Sequence, residues 1–397
     1  MKLFLKDTFI LAIIIFIGFT NSCRKNEQGP DAIWEKTYGG VEQDLGMEVQ
    51  QTTDGGYVIV GYTESFGAKF QDIYIVKTDA SGNTLWSRIY GGEQQEWGYS
   101  IDQTNDGGYI ISGHTTSFGA GGSDFYLIKT DENGDTLWTR TYGDTDFDMG
   151  TSVQQTSDGG YIVTGITSSY GAGGNDVWLV KTDSNGDTVW TKTYGGADDE
   201  SGYSVQQTND GGYIIGGLTE SFGAGHQDIY VIKTDGNGNV IWTKTYGGTN
   251  QEWGSVRQTT DGGYIVSGWT NSFCVYEGDM GDFYLIKTDE NGDTLWTRTF
   301  GGKGRDYSTD VVETSDADYI VVGHTTSFGA GEDDIYLIKT DTDGNLLWSK
   351  TYGGADIEWS SSLQITSDNC YIITGHTYSF GAGSRDVYLI KTESDVE

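Results

Sequence analysis

Apolar residues along this chain fall in short, β-branched runs separated by Gly, Asp and Asn, without the spacing of an amphipathic helix. Tyr109-Ile110-Ile111-Ser112-Gly113-His114-Thr115 and Asp124-Phe125-Tyr126-Leu127-Ile128-Lys129-Thr130 are typical, with a Gly-rich link between them. Such runs predict strands. Around these two, the pattern predicts four strands, a to d, over about Tyr99–Thr104, Tyr109–Thr115, Asp124–Thr130 and Thr136–Tyr142. The a–b link Asn105-Asp106-Gly107-Gly108 and the c–d link Glu132-Asn133-Gly134-Asp135 supply the positive-φ residues of tight hairpins.

The pattern then repeats. Trp34, Trp86, Trp138, Trp190, Trp242, Trp296 and Trp348 are spaced by 52 residues, except for a fifth interval of 54. Four antiparallel strands per unit, repeated, predict an all-β fold: a seven-bladed β-propeller. The ends of the chain support the count. The last unit stops at Glu397, before its strand d, while residues 33–38 form an orphan strand d at the start. Pairing the orphan with the last unit closes the ring and removes an exposed edge. The predicted organisation is a leader over 1–22, a tether over 23–32 and the propeller over 33–397, with repeats 34–85, 86–137, 138–189, 190–241, 242–295, 296–347 and 348–397.

Lys2 and Lys6 precede an apolar run from Phe9 to Phe19, too short to span a bilayer as a helix, which reads as a secretory signal. Thr20-Asn21-Ser22-Cys23 resembles a bacterial lipobox, with Thr20 in place of the usual Leu, and implies lipidation of Cys23. The expected location is the cell envelope, as an outer-membrane lipoprotein. The chain carries 58 acidic and 23 basic residues, a formal charge of −35, which becomes −36 without the leader. That balance excludes nucleic acid as a partner. Three Cys exclude a disulfide scaffold; Cys274 and Cys370 are expected on opposite faces, too far apart to bridge.

The Trp on strand d, following an Asp-x-x-Gly type turn as in Asp131-Glu132-Asn133-Gly134-Asp135-Thr136-Leu137-Trp138, resembles the tryptophan-docking motif of quinoprotein-dehydrogenase-like propellers. That superfamily includes BamB-like lipoproteins, and similar 52-residue units occur in lipidated repeat proteins of Bacteroidota, some labelled endoglucanase. The resemblance covers residues 33–393 and implies a fold without specifying chemistry. Its quinone-dependent members use a vicinal Cys pair, which this sequence lacks.

Repetition separates packing from candidate function. One Lys recurs on strand c (Lys77 in the first unit) and one cation on strand d (Arg88), and both are expected to pair with recurrent Asp such as Asp72 and Asp79. A carboxylate recurs six residues after the Tyr or Phe of strand d: Asp44, Glu96, Asp148, Glu200, Glu252, Asp306 and Glu358. These seven are expected to ring one mouth of the channel, either capping their own loops or offering a calcium site or an acidic collar for a basic partner. The next residue varies. Trp97, Trp253, Tyr307 and Trp359 at that position predict an aromatic binding patch or a packed lid, beside Leu45, Met149 and Ser201 in the other units. The enlarged b–c loop from Ser272 to Asp282 is the largest break in symmetry.

Other chemistry is weaker. His114, His324 and His376 share one position on different blades and should diverge, which argues against zinc. The c–d turns lack the spacing of a calcium loop, and the Gly-Ala-Gly segments precede no helix. With no cofactor required, two functions remain: a monomeric module binding an envelope protein or glycan, and a glycoside hydrolase using Glu96, Glu252 or Glu358.

Overall fold

The computed structural model describes residues 29–394 apart from Ala68, Glu277 and Asp279; the leader and Cys23 lie outside the described residues. Within these bounds the chain forms seven four-stranded antiparallel sheets arranged as a ring. The first blade comprises strand a Asp44–Gln51, b Tyr57–Thr63, c Asp72–Thr78 and d Thr84–Tyr90. In the second, strand a spans Glu96–Gln103, three residues earlier at its start than expected, while Tyr109–Thr115, Asp124–Thr130 and Thr136–Tyr142 fall at the expected positions.

Strands b and c are buried along their whole length, because each blade is covered on both faces by its neighbours. Strand d forms the outer edge, with alternating exposure. The core is therefore divided into seven inter-blade layers, such as Val58, Val60, Ile73 and Ile75 of blade 1 against Ile101, Tyr109 and Ile111 of blade 2.

Ring closure is as expected: Ala32–Tyr38 pairs antiparallel with Asp386–Thr392, placing Thr37 opposite Tyr388 and Trp34 opposite Lys391. Residues 29–31, which the sequence reading placed in the tether, pack against blade 6. Gly29 and Pro30 are buried, and Gly29 takes the place of the c–d turn glycine against Trp348; a Cβ there would sit 2.5 Å from the ring. Tyr352 donates to the Pro30 carbonyl at 2.6 Å and Lys350 reaches Asp31 at 2.6 Å. Residues 29–31 thus rebuild in trans the turn that other blades carry within the chain.

The same junction recurs around the ring. Trp86 packs edge-on against Tyr109 of the next blade and lies over Gly134, whose φ of +77° admits no side chain comfortably; a Cβ there would meet the indole at 2.9 Å. Trp138 makes the same contacts with Tyr161 and Gly186 of its next blade.

Candidate functional site

Symmetry first identifies what is scaffold. Each strand c Lys is buried and reaches an a–b turn carboxylate of its own blade, as in Lys77–Asp54 at 2.9 Å and Lys129–Asp106 at 3.0 Å. This corrects the expectation that Asp72 would be the partner. In blade 6 the pair survives because Asp318, two residues past the usual position, takes over on Lys339. Burial opposes ionisation of Asp54, yet hydrogen bonds from Thr52, Lys77 and Gly56 hold its carboxyl down at about 2. Strand d cations instead cross to the next blade's c–d turn, as in Arg88–Asp135 at 3.3 Å, a pair that is largely exposed.

The seven carboxylates from Asp44 to Glu358 do occupy equivalent places, but all seven are fully buried, which corrects the accessible collar. Glu96 accepts from Gly92 N at 2.7 Å, Thr115 Oγ1 at 2.6 Å and Ser117 N at 3.1 Å, tying the d–a loop to the b–c loop. Where the residue is Asp, the shorter arm is met by a hydroxyl: Ser169 Oγ lies 2.6 Å from Asp148. Glu96, Glu252 and Glu358 are consumed by these clasps, so none faces solvent as a hydrolase carboxylate would.

The variable position is different. The residue after each carboxylate lies opposite a second variable residue on strand b: Trp97 opposite His114, Trp253 opposite Trp269, Tyr307 opposite His324 and Trp359 opposite His376. In blades 1, 3 and 4 the pairs are Leu45–Tyr62, Met149–Ile166 and Ser201–Leu218. The rings join into an arc. From Tyr203, it passes through Trp253 (6.3 Å), Tyr307 (6.4 Å), His324 (5.3 Å), Trp359 (5.0 Å), His376 (5.4 Å) and Tyr378 (6.2 Å). In a separate cluster Tyr62 stacks on Trp97 at 4.6 Å, and Trp97 contacts His114. Trp97, Trp253 and Tyr307 are half-buried against neighbours, while Trp359 remains 37% exposed.

The three histidines therefore serve the arc. Burial, outweighing Glu96 beside it, lowers His114 to about 4; burial and Arg305 lower His324 to about 3. His376, likewise about 3, is shifted first by burial and then by Arg385 and His324. Outside the arc, a second aromatic ring is fully repeated: Phe66, Phe118, Tyr170, Phe222, Phe273, Phe328 and Phe380 of the b–c loops are each about 40% exposed. Each backs onto a strand c aromatic, as Phe118 does on Tyr126 at 5.7 Å. Cys274 and Cys370 are free thiols, as expected from their separation.

Blade 5 carries a second irregularity besides its enlarged loop. Its strand a, Glu252–Gln258, is one residue short and pairs without the bulge found in the other blades. Sequence reasoning anticipated the channel but not its lining, a cavity of about 300 Å³ bounded by strand a of all seven blades. There, side chains accept from the next blade's backbone, as Gln50 does from Gln103 N at 2.6 Å and Ser100 from Val153 N at 3.1 Å. Glu48, Asp102, Arg257 and Asp310 replace the usual Ser or Gln, and Arg257 forks onto Asp310 at 3.0 and 3.1 Å. Burial, partly offset by hydrogen bonds from Ser100 and Ile101, pushes Glu48 up to about 7. These departures within a strict repeat were the available signal.

No family model matches the chain. The regulatory protein FlaEY of Caulobacter vibrioides is 23% identical over 445 residues, covering 93% of this chain and 45% of that protein. The chain thus spans about half the length of the curated relative it matches. Among solved structures, BBS1N in complex with ARL6DN is 10% identical with a TM-score of 0.52, covering 92% of this chain and 97% of that one. YCF48 bound to D1 peptide is 11% identical with a TM-score of 0.51, covering 92% and 100%. The Pan2 WD40 domain of Neurospora crassa is 10% identical with a TM-score of 0.51, covering 90% and 91%. By fold, the chain is a seven-bladed propeller. At these identities the likeness carries the architecture of the propeller, and its chemistry rests on its own residues.

Proposed function

We propose that the protein is a non-catalytic, lipid-anchored propeller of the cell envelope that binds a protein partner through its d–a and b–c loop face. The observation that carries this reading is the unrepeated aromatic arc at the loop end of the blades, ending in the exposed Trp359 and Tyr378. Trp, Tyr and Arg are the side chains that dominate protein interfaces. Two propellers of similar fold, YCF48 with D1 peptide and BBS1N with ARL6DN, have a bound partner, which supports the same use here. The leader and Cys23 support the anchor and the address.

The test is affinity capture of envelope extract on the mature protein and on a Trp253→Ala/Trp359→Ala variant. Capture of a discrete protein that the variant loses, at unchanged fold by circular dichroism, supports the reading. Identical capture by both proteins removes the loop face as the site, and retention of neutral polysaccharide alone moves the ligand to a glycan. Labelled palmitate should enter the wild-type chain and not Cys23→Ala.

A further inference from the structure

The repeat is strict enough for its exceptions to be located. Strand c carries a Tyr in six blades, as at Tyr126, and Trp178 in blade 3. The b–c loop carries a Phe in six blades and Tyr170 in that same blade. The pair following the strand d Tyr or Phe is Gly-Gly in six cases and Gly143-Asp144 on entry to blade 3. The three exceptions meet in space. The rings of Tyr170 and Trp178 lie 5.3 Å apart, and the Tyr170 hydroxyl donates to the Gly143 carbonyl at 3.3 Å.

A cleft lies beside them. In other blades the strand c phenol is spent on a strand d side chain of its own sheet, as Tyr126 is on Thr139, Tyr230 on Thr243 and Tyr388 on Glu35. Thr191 stands in the place of Thr139, but an indole has no hydroxyl to offer it. Trp178 packs instead on Phe125 at 5.6 Å and on Tyr170. Between strand d of blade 2 and strand d of blade 3 there is a cavity of about 490 Å³, the size of a small-molecule site. Its walls are the rings of Tyr142, Tyr170 and Trp178, and its polar lining comes from Thr191, Thr193 and Lys192. Thr193 lies directly opposite Trp178 in the sheet.

The lining narrows the chemistry. No carboxylate lines the cavity, although the chain has a formal charge of −35. Lys192 reaches the neutral Asn239 at 3.4 Å, whereas Arg88, Arg140 and Lys244 on the same strand of other blades reach carboxylates. At the loop end, Asp124, Asp144 and Asp148 act on the Tyr170 hydroxyl and disfavour an anion there. We propose that this cleft binds a short neutral saccharide. Its apolar C–H face lies on the ring of Tyr170, which is 41% exposed, and its hydroxyls exchange hydrogen bonds with Thr191, Thr193 and Lys192. A sugar ring satisfies both walls, because it has an apolar face and a rim of groups that both donate and accept. The cleft sits on the flank of the ring between blades 2 and 3, so it is independent of the partner assigned to the loop-face arc.

The experiment probes an array of neutral oligosaccharides with the mature protein and with Tyr170→Phe/Trp178→Tyr. That double exchange installs residues that six blades already carry at these positions, so the fold is retained. Expected is retention of a neutral oligosaccharide, weakened about tenfold by the double exchange and severalfold by Thr191→Val, which removes one exposed hydroxyl. The Trp253→Ala/Trp359→Ala variant should retain the sugar undiminished. Equal retention by the wild type and the double exchange, or loss in Trp253→Ala/Trp359→Ala alone, would overturn the cleft as the site. An array that shows no neutral oligosaccharide retained, or acidic glycans only, would overturn the assigned ligand. So would an extended peptide, selected from a display library, whose binding the double exchange abolishes while no sugar binds.

Discussion

The two ends of each blade use the same backbone differently. At the turn end, the Trp–Tyr–Gly junction and the buried Lys–Asp pair recur around the ring, and even the break in the chain is repaired by Gly29, Pro30 and Asp31. At the loop end, one layer is equally strict, the carboxylate clasp, while the paired positions beside it range from Leu45–Tyr62 to Trp359–His376. The contrast teaches that a blade needs its neighbours' positions and a few satisfied polar groups, and tolerates any side chain that fills the space at the mouth. Function is therefore free to accumulate there.

Breaking the turn end should have the largest effect. A chain starting at residue 29 should melt like one starting at residue 1, whereas one starting at residue 32 loses the cover over Trp348 and the acceptor of Tyr352. Burial of about 200 Å² of indole sets an upper bound of roughly 5 kcal/mol on that loss, and differential scanning calorimetry of the two truncations measures it. The ion pairs sharpen the same point. Asp106→Ala strands Lys129 in the core and should cost about 3 kcal/mol. Asp135→Ala, on the exposed Arg88 pair, should cost under about 1 kcal/mol, both variants being read by urea titration.

At the loop end, Glu96→Ala leaves two backbone amides and a buried hydroxyl without their acceptor and should cost about 2 kcal/mol, read by denaturant unfolding. Acid should weaken the arc before it weakens the turns. The folded values of His114, His324 and His376 lie below the ordinary 6.5, so their stabilisation is complete above that pH and is lost as pH falls toward about 4 and 3. Glu48 acts in the opposite sense: raised to about 7, it favours the fold below its ordinary 4.5 and ceases to as pH rises through 7. A melting temperature that falls from pH 7.5 to 5, less steeply in His376→Gln, would confirm that the histidines prevail. Trp359→Ala should also cost little stability, about 1 kcal/mol, because more than a third of the residue is already in solvent. Its effect on partner capture should be the greatest of any single loop-face change.

Much of this was legible in the chain. Strands b, c and d of the second unit, the ring closure and the unbridged cysteines follow from local pattern and chain-end arithmetic. Strand a was read too short at its start because Glu96 and Trp97, polar and aromatic, look like loop until the pairing with Thr115 and His114 is known. The carboxylates were found by position, yet a conserved spacing within the repeat does not disclose whether Glu96 turns outward or accepts from Thr115. Asp54, separated from Lys77 by a strand and a loop, was passed over for the nearer Asp72, because hairpin register alone brings it to 2.9 Å.

The periodic Trp, the paired turn residues and the missing last strand are properties of order along the chain, so sequence alone decided that seven units would form and that the first segment would complete the last. Which polar groups are consumed and which are left free depends on atoms brought together across blade boundaries. That is why only the tertiary structure buried the seven carboxylates and joined the variable rings into an arc.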